Sequence, residues 1–268
     1  MSGERSCGRS AGTLLLAPKY TSIRQVRQTR YQAIADDLRR RVEAGAVGAG
    51  RLLPSESELS ADYGASRVTV RRALEALRDE GLLESRQGLG WLVASDPFRQ
   101  TLARLGTIEA QLVGEGRRSE RRVLDFRFTT PPARVRRWLD VPSVLRVRRL
   151  NLADGEPFAL VTVWCPEALA AELSRADVER SPFYELIGVA LGGATQTIGA
   201  GAATAAEAER LGVPEASPVL RCERVTRSTA GEVVLVSEHV FPGHLTEFVV
   251  DLPHAEPSIA ASGLRFVE

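Results

Sequence analysis

Residues 53–93 read LPSESELSADYGASRVTVRRALEALRDEGLLESRQGLGWLV, and this stretch decides the fold. Ser55 with Glu58 three residues on is a capping box, in which each side chain satisfies an orphan backbone N–H of a helix start. The helix it begins is short, because Tyr63-Gly64 ends it. Only Ala65 separates that turn from Ser66, which caps a further helix carrying Val70, Ala73, Leu74 and Leu77 on one face. Gly81 closes that helix. Leu82–Ser85 then reads as a short strand, Arg86–Gly90 as a turn, and Trp91–Val93 as a returning strand. Working outward, Ile34, Leu38 and Val42 recur every fourth residue from Tyr31, with Asp36, Asp37, Arg39 and Arg40 on the other face. Gly45 stops this first helix, and a Gly-rich connector runs to Gly50. The order is helix, short helix, tight turn, helix, hairpin: a helix-turn-helix with a wing.

The last helix has two unlike sides. Its apolar stripe faces the domain, while Arg67, Thr69, Arg71 and Arg72 occupy the first two turns elsewhere. A recognition helix reads base edges with its N-terminal residues, where free N–H groups also favour phosphate. Arg67 and Arg71, four residues apart, share a face and are suited to fork onto guanine or clamp phosphate. Ser55 and Ser66, at the two helix starts, belong to the same expected contact surface. Gly88 and Gly90 let the wing tip pass close to a DNA backbone, with Arg86 and Gln87 placed to touch it. Double-stranded operator DNA is therefore the expected partner.

This segment resembles the DNA-binding domain of the GntR family. The residues that carry the resemblance are Leu53-Pro54-Ser55-Glu56, Ser66 through Leu74, Leu77, Glu80-Gly81-Leu82 and Gln87-Gly88-Leu89-Gly90. The resemblance implies that Arg67, Arg71 and the glycine region at Gly88 contact operator DNA. An arginine usually follows the Leu-Pro-Ser-Glu run in that family, and Ser57 stands there in this chain.

After Asp96-Pro97 the texture changes to alternating apolar and polar residues. Strands are expected over Arg121–Phe128, Val144–Leu152, Phe158–Trp164, Val219–Ser228, Val233–Phe241 and Glu247–Val250. Helices are expected over Pro132–Leu139, Pro182–Gly188 and Ala203–Leu211, with hairpin turns at Asp154-Gly155 and Ala230-Gly231. The fold class is α+β: an N-terminal winged helix-turn-helix, then an antiparallel-sheet domain. This second part resembles the UTRA effector domain of the HutC-like subfamily, whose fold is similar to that of chorismate lyase. The resemblance rests on Arg149 through Leu160, Ser181 through Leu186, Ala205–Ala208 with Leu211-Gly212-Val213-Pro214, Ser217 through Leu220, and Val236 through His244. It implies a small-molecule effector, a polar metabolite, held by Arg149 and Glu238, with Asn151 and Tyr184 beside them. Four positions depart from the family: Asn151 replaces a frequent second arginine, Val161 a common acid, and His244-Leu245 the usual Asp-Arg.

Taken whole, the 268 residues are expected to divide into a basic leader (1–27), the DNA-binding domain (28–95), a linker (96–107), the effector domain (108–252) and a tail (253–268). Hydrophobic residues make up 44%, enough for two cores, and the net charge of +1 does not by itself announce nucleic acid. No apolar run approaches the roughly 20 residues of a membrane span, so the chain is expected in the cytoplasm, away from membranes. Cys7, Cys165 and Cys222 are too far apart for a disulfide framework or a zinc site. His239 and His244 with Glu238 or Glu247 are weighed as a metal cluster and set aside, since neighbouring strand residues face opposite ways. Neither catalytic residues nor a cofactor are expected. The competing reading is an enzyme of chorismate lyase-like fold with an appended DNA-binding head. A palindrome-reading head also implies a homodimer, with repression relieved by the effector.

Overall fold

The computed structural model describes residues 29–95, 97–101, 112 and 116–250. The expected leader and tail, Cys7 and most of the expected linker lie outside the described residues.

The N-terminal domain holds α1 (Arg30–Glu43), α2 (Glu56–Asp62), α3 (Arg67–Asp79) and an antiparallel hairpin of β1 (Leu83–Arg86) and β2 (Gly90–Val93). Its core is the stripe read from the sequence: Ile34 and Leu38 of α1, Leu59 of α2, and Val70, Ala73, Leu74 and Leu77 of α3, closed by Leu83 and Trp91. Full burial of Leu74 and Leu77 makes each Leu→Ala change worth about 2–5 kcal/mol. The capping box at Ser55 is present: its hydroxyl accepts from the Glu58 N–H at 3.3 Å, and Glu58 accepts from the Ser55 N–H at 2.8 Å. The α1–α2 connector is less free than its glycines suggest. It lies along the wing as a third, irregular strand, with the Leu53 N–H donating to Trp91 O at 2.8 Å and the Val93 N–H to Arg51 O at 2.9 Å.

The C-terminal domain is built on a six-stranded antiparallel sheet of order β4-β5-β6-β9-β8-β7. The strands are β4 (Ser119–Thr129), β5 (Val144–Ala153), β6 (Glu156–Pro166), β7 (Leu191–Ala202), β8 (Pro218–Ser228) and β9 (Val233–Pro242). Short helices complete it: α4 (Ala133–Arg136), α5 (Glu167–Ala170), α6 (Arg175–Arg180), α7 (Phe183–Leu186) and α8 (Ala205–Leu211). One sheet face buries Val123, Val147, Val161, Val163 and Phe241 against Val178 and Phe183 of α6 and α7. The other face packs at one end against α8 and at the other against the α4 turn, through Val135, Leu139 and Trp164.

Two strands lie where none is expected, and the short helices α5 and α6 have no expected counterpart. Phe98–Thr101, expected within the linker, forms β3 and pairs in parallel with β10 (Thr246–Val249). The Phe98 ring packs on Phe158, 5.0 Å between centroids, so buried apolar area draws this segment into the second domain. Leu191–Ala202, which carries no hydrophobic alternation, is the edge strand β7. Its side chains are mostly exposed, and it is held by its backbone ladder to β8. No helix among the described residues is long and apolar enough to cross a membrane.

Candidate functional site: nucleic-acid interface and ligand cavity

On the head, α3 presents its N-terminal half outward. Ser66 caps it, accepting from the Thr69 N–H at 3.2 Å and bonding the Thr69 hydroxyl at 2.8 Å. Arg67 is exposed. Arg71 is exposed too, but braced: its Nε and Nη2 edge grips the Glu56 carboxylate at 2.6–3.2 Å. Glu56 also accepts from the Trp91 indole at 3.2 Å, and Arg71 above all holds its carboxyl below the usual range. The Leu-Pro-Ser-Glu run thus supplies both the cap of α2 and the brace of Arg71. Arg72 turns the other way, its guanidinium 4.4 Å from the Tyr31 ring centroid on α1. The wing turn carries exposed Gln87 and Gly88, with Gly88 at φ +77° and Gly90 at φ +110°, conformations that favour glycine. Ser57 is exposed on α2. One residue escaped the sequence reading. Val68, between Arg67 and Thr69, is 78% exposed, an apolar side chain off the buried stripe and on the outward part of α3. Its signal was its helical position, since it falls outside the Val70–Leu74–Leu77 face.

The sheet register sorts the expected effector residues. Arg149, Val161, His239 and Cys222 sit side by side across β5, β6, β9 and β8, and Val147, Val163, Ser237, Arg224 and Gln196 form the next row on the same face. The intervening row, Arg148, Thr162, Glu238, Glu223 and Thr197, faces the opposite way. Arg149, Asn151 and Tyr184 therefore line one cavity, joined by Arg224, His239, Gln196 and Phe241. Glu238 does not join them. It lies in a separate cleft on the far face and is paired with Arg134, whose Nη2 donates to it at 3.0 Å. The expected pairing of Arg149 with Glu238 around one ligand is corrected by strand alternation: an even residue on β9 cannot share a face with His239.

The cavity is tight and cationic. Arg149 and Asn151 are only 6% and 3% exposed. Arg224 is held in place by donating to Gln196 Oε1 at 2.7 Å and to the Tyr184 hydroxyl at 3.0 Å. His239 bonds the Ser237 hydroxyl at 3.0 Å and stacks on Phe241. No Asp or Glu is among the described lining residues. The enclosed volume is about 60 Å³, room for roughly four to six waters at 10–15 Å³ each; the far-face cleft holds about 690 Å³. Cys222 lines the cavity, and burial pushes its thiol up to about 12, as it does that of Cys165. No group of three metal-ligating side chains occurs among the described residues.

Residues 30–93 match the gntR family of bacterial regulatory proteins, and residues 114–246 match the UTRA domain. The chain is 32% identical over 236 residues to the HTH-type transcriptional regulator Rv0792c of Mycobacterium tuberculosis, covering 85% of this chain and 87% of that one. The chain belongs to the GntR family. Another relative is the HTH-type transcriptional repressor NagR of Bacillus subtilis, 29% identical over 226 residues, which cover 82% of this chain and 93% of NagR. The crystal structure of PhnF from Mycobacterium smegmatis superposes with a TM-score of 0.57 at 25% identity, covering 83% of this chain and all of that one. This GntR-family member is thus a DNA-binding transcription regulator with a UTRA effector domain. Its relatives are regulators, which decides against the reading as a lyase-like enzyme with an appended head.

Proposed function

We propose that this GntR-family regulator is a homodimeric cytoplasmic repressor that reads two half-sites of a near-palindromic operator and is released by a small anionic metabolite. Arg67, Val68, Thr69 and Arg71 read bases or flanking phosphates, and Ser55, Ser66, Arg72, Gln87, Gly88 and Gly90 shape or touch the backbone-facing surface. The observation that carries the effector part is the cavity over the sheet. Arg149 and Arg224 enter one narrow space with Asn151, Tyr184 and His239, and no described lining residue is a carboxylate. Guanidinium groups in an aromatic, partly apolar pocket favour a carboxylate or phosphate, through charge-assisted bonds. The volume favours a compact ligand. Such an effector acts through its differential affinity for two head arrangements, typically about 1–3 kcal/mol of coupling.

The test is a thermal-shift screen of small mono- and dianionic metabolites against the full chain. A hit should lose its stabilisation in Arg149→Ala and in Arg224→Ala, keep it in Glu238→Ala, and weaken operator binding in a shift assay. A hit that stabilises all three variants alike would reject this cavity as the effector site.

A further inference from the structure

We infer that Arg51 is a positioning residue that clamps the DNA-reading head to the effector domain, and that it lies at the meeting point of the strands that build the ligand cavity. The inference rests on the regulator reading above and names how its two halves are joined. Arg51 belongs to the α1–α2 connector, yet its side chain leaves the head. It pairs with Glu156 and donates through Nη1 to the carbonyls of Leu211 at 2.6 Å and Gly212 at 3.3 Å. The guanidinium side chain is only 14% exposed. Leu211 ends α8, so the cation meets carbonyls that the helix itself leaves unsatisfied. Beside it, Gly50 O accepts from His244 Nε2 at 3.0 Å. A Cβ at Gly50 would run into the Leu245 side chain, and its φ of +73° also calls for glycine. The connector and the turn after β9 are thus in close contact.

Two of the effector-side anchors, Glu156 and His244, adjoin the ends of cavity strands. Arg149 and Asn151 stand on β5, which turns at Asp154-Gly155 directly into Glu156 at the start of β6. His239 and Phe241 stand on β9, which runs through Pro242 and Gly243 into His244 and Leu245. On the head side, the connector is bonded to β2 of the wing through Gly50, Arg51 and Leu53. The covalent path between the domains is short, because β3 is already paired with β10 and the Phe98 N–H donates to Leu245 O at 2.7 Å. Only residues 94–97 separate β2 from β3. The Arg51 node adds a non-covalent contact to this covalent link and so sets the orientation of the head. A ligand that shifts β5 or β9 moves Glu156 or His244 and so changes the grip on the wing.

The test compares the full-length chain with Arg51→Ala and with the milder Glu156→Gln, by two readouts. The first is amide hydrogen exchange. Exchange at residues 48–53 and 243–245 should rise about tenfold in Arg51→Ala, the scale of a charge-assisted contact, and less in Glu156→Gln, while the cores of both domains keep their protection. The double variant should exchange no faster than Arg51→Ala alone, since both changes remove one contact. The second is half-site spacing on operators selected from random DNA. The unaltered chain should prefer one spacing, and Arg51→Ala should accept spacings a base pair longer or shorter. Unchanged exchange in both variants, or retained spacing preference despite faster exchange, would overturn the inference. If the unaltered chain selects no DNA, the regulator reading falls instead, and the exchange measurement still decides whether the clamp exists.

Discussion

Arg71 shows how one residue can belong both to the scaffold and to the proposed reading surface. Its Glu56 brace uses the Nε and Nη2 edge and leaves Nη1 outside that pair. The guanidinium is held in one orientation before DNA arrives, which reduces the entropy lost on binding. Arg67→Ala and Arg71→Ala should each weaken operator binding by about 1–3 kcal/mol at constant salt. Affinity unchanged by either, in a shift assay, would remove α3 from the reading surface. Val68→Ser should instead relax preference at one A·T pair, as expected for an apolar contact with a thymine methyl. Cys165 and Cys222, with thiols pushed up to about 12 by burial, should resist maleimide in the folded chain at pH 8. Rapid labelling of either would show that the sheet core opens readily.

Among the elements, α8 is held by charge as well as by packing. Thr204 caps it through the Glu207 N–H, and Glu207 returns the bond to the Thr204 N–H at 2.9 Å. Glu207 also accepts from Arg221 at 2.8–2.9 Å, and these contacts, led by Arg221, lower its carboxyl from 4.5 to about 2. A depressed acid stabilises the fold above its ordinary pKa and loses that contribution as the pH falls through its folded value. The expected loss therefore runs from about pH 4.5 down to about pH 2. Glu207→Gln should flatten that part of the acid-unfolding profile, followed by circular dichroism; an unaltered profile would show the pair to be inert. The elements also mark where reading by pattern fails. Helices α1 to α3 and strands β5, β6, β8 and β9 bury one or both faces and so display hydrophobic periodicity. Strand β7, LGGATQTIGAGA, buries little and is specified by its ladder with β8, so no side-chain period marks it. Yet it supplies Gln196, which orients Arg224 in the cavity.

For the molecule as a whole, the proposed reading of a near-palindrome by two heads requires a two-fold assembly. The chain should sediment at twice its monomer mass at micromolar concentration, and a strictly monomeric chain would exclude the paired half-site mechanism. The sequence by itself determined the winged helix, the antiparallel α+β domain behind it and the placement of Arg67, Thr69 and Arg71 in the first turns of α3. These rest on local signals: caps, helical and strand periods, and turns between neighbours in the chain. Tertiary structure alone decided which distant residues share a face. Strand alternation placed Arg149, Arg224 and His239 in one cavity and sent Glu238 to Arg134 on the other side. It also brought Arg51 to Glu156, 105 residues away in the chain. Long-range register and docking depend on the summed packing of the whole domain, and no local run of residues encodes them.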